Sequence, residues 1–322
     1  MNKRLTIKSV LENVKKTEFV LFFMIIAIFF IMSFATETFL TLYNLQIILT
    51  SATIVGILSI ASTLIIISGG IDLSIGSVVG LSAMVCAVFM SSDGKQMGVW
   101  PSILLSVLLC IFVGIYHAVI IYEVKIDSFI ATLASNIFLR GIIKLLSDSR
   151  TVTHFPKNFN AFAQIQFLGL PSIVWIWLFI GLVCFFILRY TRFGRNLFVL
   201  GSGLEVARLA GINTRLTTYA IYSLGAFLCS IAGILMTSRL SSAQPTGGTA
   251  YLMPAITAAV IGGASLKGAK GSIIGTLLGT ILMTIITNAG IHLEINTFVM
   301  ESATGVLLTL AVVLDILRQK KE

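Results

Sequence analysis

Apolar residues run through this chain in long blocks, separated by short polar gaps, from near one end to the other. A bilayer's hydrocarbon core is about 30 Å thick, so at about 1.5 Å per residue a helix needs about 20 residues to cross it. Blocks near that length predict spanning helices at Phe19–Phe34, Leu45–Ile67, Leu73–Met90, Pro101–Tyr122, Phe129–Leu146, Ser172–Leu188, Thr217–Thr237, Pro254–Ala264, Ile273–Ala289 and Phe298–Leu317. The eighth is too short to cross unaided and reads as a half-helix or as joined to neighbouring residues. The expected fold class is all-α: a polytopic helical membrane protein of about 10 transmembrane segments, some short or broken, forming one membrane domain over residues 1–322. Composition agrees, because only 11% of the residues are charged and 57% are hydrophobic, against about 25% charged in soluble domains.

The polar gaps orient the chain. An even number of crossings puts both termini on one side. The segments on the side of the N-terminus then hold Lys3, Arg4, Lys8, Lys15, Lys16, Lys125, Arg189, Arg192, Arg195, Arg208, Arg215, Lys267, Lys270, Arg318, Lys320 and Lys321. The opposite segments hold Lys95, Arg150, Lys157 and Arg239, while Arg140 and Lys144 fall inside the fifth span. Short loops rich in Lys and Arg stay on the cytoplasmic side. The basic segment 1–18, the 189–216 loop and both termini are therefore expected in the cytoplasm, and loops 147–171 and 239–253 outside. The net charge of +9 follows from membrane orientation and needs no nucleic-acid partner.

The first apolar block begins only after sixteen polar or mixed residues, without a small-residue cleavage pattern, so it is not read as a signal peptide. Ile7, Val10, Leu11 and Val14 recur at helical spacing among Lys8, Lys15 and Lys16. They predict a short amphipathic helix on the inner leaflet, or else a basic tail. Cys86, Cys110, Cys184 and Cys229 each lie inside an apolar block and read as small core residues. His117, His154 and His292 are scattered, so no metal site, catalytic residue or cofactor is expected. The chain has no Gly-x4-Gly-Lys-Ser/Thr loop to hold a nucleotide.

Three polar islands interrupt the apolar background. The first is Ser68-Gly69-Gly70-Ile71-Asp72-Leu73-Ser74-Ile75-Gly76-Ser77. Asp72 either caps the free N–H groups of the third span or, with Ser74, lines a solute path; a carboxylate at membrane depth costs a few kcal/mol unless paired or hydrated. The second is the 189–216 loop, in which Leu204–Ala210 predicts a short helix between Gly203 and a stop at Gly211. It is either a projection that docks into a soluble partner or a solvated basic loop. The third, Arg239-Leu240-Ser241-Ser242-Ala243-Gln244-Pro245-Thr246-Gly247-Gly248-Thr249-Ala250-Tyr251, predicts an outward turn-rich loop. Gln244, Thr246 and Tyr251 there either bind a polyol or satisfy their own backbone. Gly69, Gly70, Leu73, Gly76, Ser77 and Gly80 are echoed by Gly262, Gly263, Leu266, Gly271, Ser272 and Gly275, in the manner of transporter repeats with broken helices. The glycines read chiefly as close-packing positions.

On these islands the chain resembles the permease subunits of bacterial ABC importers for ribose, arabinose, xylose and related monosaccharides. The resemblance rests on Gly70–Ser77, on Phe129-Ile130-Ala131-Thr132-Leu133 with Arg140-Gly141, on Arg239–Thr246, which looks most like the ribose permeases, and on Val260-Ile261-Gly262-Gly263-Ala264-Ser265-Leu266. It implies a subunit of the bacterial inner (plasma) membrane that works with an ATP-binding subunit, an external solute-binding protein and a second permease copy. ATP and Mg would belong to the partner, and the cargo would be a monosaccharide. Leu204, Glu205, Val206, Ala207, Arg208 and Gly211 look like the family's coupling segment, Glu-Ala-Ala-x3-Gly, with Val206 in place of the middle Ala and no downstream Leu-Pro. The family's two acids after the Ser-Ser-Ala-Gln-Pro run are also missing, since the chain reads Tyr251-Leu252-Met253-Pro254-Ala255-Ile256. The alternative is an ion-coupled secondary transporter, which would keep ionisable relays in the membrane; here such residues are few and separated. A membrane scaffold would leave the patterned 189–216 loop unused.

Overall fold

Every predicted block becomes helix, and local chemistry sets where each helix stops. The structure, a computed structural model, describes residues 7–320. Lys3, Arg4 and Lys321 therefore lie outside the described residues. Helices α1 (Ile7–Ala35), α2 (Leu42–Ile67), α3 (Ile75–Met90), α4 (Val99–Tyr122) and α5 (Ser128–Ser147) come first. They are followed by α6 (Lys157–Phe162), a hairpin of β1 (Gln166–Phe167) and β2 (Leu170–Pro171), α7 (Ser172–Tyr190), α8 (Arg192–Gly201) and α9 (Leu204–Leu209). The chain closes with α10 (Thr214–Leu240), a 3-10 turn at Thr249–Tyr251, α11 (Leu252–Ile261), α12 (Ile273–His292) and α13 (Thr297–Lys320).

Among the described residues, seven helices are long and apolar enough to cross a membrane: the Thr17–Ala35 part of α1, then α2, α4, α5, α7, α10 and α12. Helix α3, the Thr249–Ile261 segment and the Thr297–Val313 part of α13 are apolar but shorter. The amphipathic segment expected ahead of the first span is the beginning of α1 itself, one continuous helix from Ile7.

The largest departure is in the 189–216 loop, expected to hold one short helix. Helix α8 precedes α9, and Thr191 caps it by accepting from the Gly194 N–H. Its signal was present: Phe193, Leu197 and Leu200 stand at i, i+4 and i+7. The second departure is in the glycine echo, whose register the backbone does not follow. Gly69 and Gly263, at φ +87° and +97°, are the left-handed residues behind α2 and α11, so Gly69 answers Gly263 and not Gly262. Ser272 is the N-cap of α12, whereas Ser77 lies inside α3, whose N-cap is Ser74.

The chain divides into two compact units. The first comprises residues 1–69, 180–203 and 253–322. Here α1 and α2 lie against α12, around a core of Leu21, Ile25, Met32, Phe39, Ile48, Leu282, Ile285 and Ala289. The α2–α12 seam is apolar with polar rungs. The Thr63 and Thr276 hydroxyls are 2.7 Å apart. Asn44 and Asn288 exchange amide hydrogen bonds of 3.0 and 2.9 Å. Near one end, Ser272 donates to the Glu18 carboxylate at 2.5 Å.

The second unit comprises residues 70–179 and 204–252. Helix α3 is buried along almost its whole length among α4, α5 and α10. Small residues allow this: a Cβ on Gly114 would meet the Tyr222 carbonyl oxygen at 2.5 Å, and one on Gly233 the Val79 carbonyl oxygen at 2.5 Å. In a bilayer such close approach replaces the hydrophobic drive between helices. Ser82 and Ser106 lie 2.8 Å apart, and Ser82 also donates to the Ser230 carbonyl at 2.8 Å.

Loops gather at the two ends of this unit. At one end Ser91 donates to the Thr153 carbonyl, Asp93 meets His154 at 2.7 Å, and Val152 pairs with Ala243. At the other, Tyr122 lies 3.0 Å from Thr214 and Arg215 meets Glu123 at 2.6 Å. Loops 91–98, 147–171 and 239–253 therefore share one end, and loops 123–127 and 210–213 the other.

Candidate functional site

The first and third polar islands come together on α3. Helix α3 begins at Ile75, two residues later than the sequence predicts, because the preceding segment is bonded elsewhere. The Ile71 N–H donates to Ser128 Oγ at 3.1 Å, and the Leu73 N–H to Thr132 Oγ1 at 3.0 Å, both on α5. Asp72 does not cap the first turn of α3 directly. Its Oδ1 accepts from the Ser74 N–H at 2.7 Å and the Ser74 hydroxyl at 2.6 Å, fixing the residue at the N-cap. Ser74 is fully buried and Asp72 is 9% exposed. A non-helical stretch is thus held at the start of a helix by hydroxyls and one carboxylate, which accept from the Ile71, Leu73 and Ser74 N–H groups.

The third island packs into this unit through its turn. Its Gly247-Gly248 turn lies against the first two turns of α3. A Cβ on Gly76 would be 2.8 Å from the Gly248 carbonyl oxygen, and one on Gly80 2.6 Å from that of Gly247. Arg140, within α5, donates to the Gly247 carbonyl at 2.6 Å. That contact accounts for a cation inside an apolar helix: it supplies the donor that an irregular turn needs where no helix partner is available. Thr246 accepts through its carbonyl from the Thr249 hydroxyl at 2.8 Å, and the Gln244 carbonyl from the Gly247 N–H at 2.9 Å. Gln244 and Thr246 have exposed side chains, and Tyr251 is half-buried in the 3-10 turn. The five pathway candidates therefore flank one short stretch of α3, Asp72 and Ser74 before it and Gln244, Thr246 and Tyr251 around the turn beside it.

Gly69, Gly262 and Gly263 belong to the first unit and Gly70 to the second. A Cβ on Gly262 would meet the Gly275 carbonyl oxygen at 2.6 Å, so α11 ends in direct backbone contact with α12. Gly201, at the end of α8, touches the Ile67 carbonyl, and a Cβ there would lie 2.5 Å from the Ala269 nitrogen. The Ala269 N–H itself donates to the Ile67 carbonyl at 2.9 Å. The ends of α2 and α8 and the 265–270 loop thus meet at one glycine.

In the second unit α9 turns most of its surface outward. Leu204, Glu205, Val206, Arg208 and Leu209 are exposed, Leu209 at 90%, and Ala207 alone is buried. Gly211, at φ +71° with open space around it, ends the element as the sequence predicts. Beyond it, Arg215 and Tyr219 of α10 converge on Glu123 at 2.6 and 3.2 Å. Sequence reading missed this clamp, along with the roles of Ser128, Thr132 and Glu18. No three His, Cys, Asp or Glu side chains converge among the described residues. A cavity of about 270 Å³, lined by Phe112, Val113, Tyr116, Ser135, Phe138 and Leu139, holds none of the candidate residues.

Residues 44–316 match the family described as branched-chain amino acid transport system / permease component. The ribose import permease protein RbsC of Haemophilus influenzae is 35% identical over 298 residues, 91% of each chain. Its namesake from Escherichia coli K12 is 35% identical over 289 residues, covering 88% of this chain and 89% of that one. The autoinducer 2 import system permease protein LsrD of Photorhabdus laumondii is 35% identical over 265 residues, 80% of this chain and 79% of that one. No solved structure matches.

Proposed function

Since the chain belongs to the branched-chain amino acid transport system / permease component family, we propose that it is the membrane-spanning subunit of an ATP-driven ABC importer that passes a monosaccharide. It is a transport component, and nucleotide chemistry belongs to a partner ATPase that binds ATP and Mg. The observation that carries this reading is the outward face of α9, where Leu204, Val206 and Leu209 are exposed beside Glu205 and Arg208. Exposed leucines on a short helix, in a stretch that reads Glu205-Val206-Ala207 and Gly211, suit insertion into a groove of that partner.

The remaining assignments follow from the same reading. About ten segments cross the bacterial inner membrane, with both termini and the 189–216 loop in the cytoplasm, as the Lys and Arg distribution favours. Loops 147–171 and 239–253 face the solute-binding protein that delivers the cargo, and a second permease copy completes the pathway. Asp72, Ser74, Gln244, Thr246 and Tyr251 contribute to the path or its gate, along the α3 stretch held by Arg140. ATP-driven closure of the ATPase shifts α9, and that shift biases the bundle between two arrangements. A neutral sugar fits a membrane interior that is poor in charge.

The test is uptake of labelled ribose into cells or proteoliposomes carrying the complete importer. Uptake that stops on ATP depletion, survives collapse of the proton gradient and accompanies co-purification of an ATPase is the expected result. Uptake that follows the proton gradient would replace this reading with ion-coupled transport.

A further inference from the structure

Loop 147–171, placed above on the side of the solute-binding protein, ends in a hairpin just before α7. Its base is fixed. Phe155, Phe159 and Ala163 are buried. Ser238 on α10 donates to the Phe159 carbonyl at 2.6 Å and accepts from the Ala163 N–H at 3.3 Å. The Ser172 N–H donates to the Ile165 carbonyl at 2.7 Å. Trp175, in the first turn of α7, donates to the Phe167 carbonyl at 2.9 Å, and its ring meets that of Phe167 edge-on at 5.7 Å. The tip is apolar and bare: Phe167 is 60% exposed, Leu168 76%, and Ile165 is exposed beside them.

The turn chemistry points the same way. Leu168 and Gly169 link β1 to β2 with φ of +50° and +77°. A two-residue hairpin turn with both residues at positive φ favours Asn-Gly or Asp-Gly, and a bulky side chain is disfavoured in that region. Turn stability alone would select asparagine at 168. A leucine held outward there, against the local preference, is a residue kept for what it touches.

Its position identifies the partner. Helix α7 starts at Ser172, directly after β2, and its 19 residues make about 28 Å of helix at 1.5 Å per residue, close to the thickness of the hydrocarbon core. Ser172 then lies at the membrane boundary, with the hairpin beside it. Tryptophan is enriched at that level. Residues 149–172 include Arg150 and Lys157 and no Asp or Glu, a charge balance suited to anionic headgroups.

We propose that the Phe167–Leu168 tip inserts into the leaflet where α7 begins, with Trp175 at the headgroup level. The hairpin is thus a lipid-contact element that fixes the height of α7 in the bilayer. This depends on α7 spanning the membrane and not on the identity of the cargo.

The test uses the full chain in nanodiscs of phosphatidylethanolamine and phosphatidylglycerol, with and without lipids brominated in the acyl chain. The four native cysteines are buried, so Leu168→Cys and Lys95→Cys can each carry a single nitrobenzoxadiazole label. The Leu168 label is expected to emit to the blue, to be quenched by bromolipid and to resist aqueous iodide, while the label at Lys95, on a loop at the same end, shows the reverse. A Leu168 label as open to iodide as that at Lys95 overturns the proposal, as does one shielded only when a solute-binding protein is added. Leu168→Asn suits the turn and should keep the fold. Combined with a label at Phe167→Cys it is expected to lose bromolipid quenching, and unchanged quenching would remove Leu168 from the contact.

Discussion

Arg140 donates to the carbonyl oxygen of Gly247 across 2.6 Å, from within an apolar helix to a turn that has no helix of its own. A hydrogen bond from a charged group contributes about 1.5–3 kcal/mol. Here it also keeps the Gly247-Gly248 turn seated on α3. Arg140→Leu is expected to lower stability by about 2 kcal/mol and to reduce uptake further than that loss of folded protein accounts for. Arg140→Lys should recover part of both. Thermal unfolding in detergent, set beside uptake per folded molecule, checks the pair.

The Asn44–Asn288 pair makes a different point about burial. Each amide bonds the other, so removing Asn44 takes both of these bonds from Asn288, while Asn44 keeps its own bond to the Phe39 carbonyl when Asn288 is removed. Asn44→Leu or Asn288→Leu alone is expected to cost about 1–3 kcal/mol. The double variant should cost less than the sum, with a coupling of about 1 kcal/mol. A double-mutant cycle on thermal stability measures it, and strict additivity would show that the amides do not act together.

Thr132 holds the broken start of α3 by accepting from Leu73, while Ser128 accepts from Ile71. Thr132→Val keeps the shape of the side chain and removes the acceptor. It is expected to leave the bundle folded while slowing uptake, and Ser128→Ala added to it should slow uptake further. Equal uptake by the double variant would mean that the segment needs no anchor.

On α9 the burial pattern separates two kinds of variant. Glu205→Arg and Leu209→Ser alter exposed positions and are expected to leave stability within about 0.5 kcal/mol of wild type. Both should abolish ATPase co-purification and uptake. Ala207→Leu places bulk at the one buried position and should lower stability itself, by about 1–3 kcal/mol. Normal uptake by Glu205→Arg would remove the docking role.

Gly201 has no room for a methyl group. A Cβ there would press on the Ile67 carbonyl and the Ala269 nitrogen, the two ends of one hydrogen bond. Gly201→Ala is expected to destabilise by about 1–3 kcal/mol, visible as a lower unfolding temperature. Gly181→Ala, whose Cβ would meet only the tip of Leu277 at 3.3 Å, should be close to neutral.

The helices were legible in the sequence because membrane depth leaves long apolar blocks no other structure. Ends were legible where a single residue sets them, as Gly211 does behind α9. Helix α8 was hidden because its repeat of Phe193, Leu197 and Leu200 is short and embedded in a basic stretch, which reads as loop. The meeting of Gly76 with Gly248 could not be read, since nothing in either segment says which backbone the missing Cβ makes room for. Arg140 stood out as a charge in a span, but its acceptor is a carbonyl 107 positions away, and carbonyls leave no mark in a sequence. Thr132 and Ser128 looked like ordinary small residues of a membrane helix for the same reason.

The burial of α3 on all sides bears on how the chain is made. This helix leaves the ribosome ahead of α4, α5 and α10, the three that enclose it, and the last of them starts only at Thr214. Until then it is a short, serine-bearing segment without neighbours, a poor candidate for release into lipid. Biogenesis of this half therefore waits on late synthesis, and a nascent chain truncated before α10 should be retained by the insertion machinery or degraded.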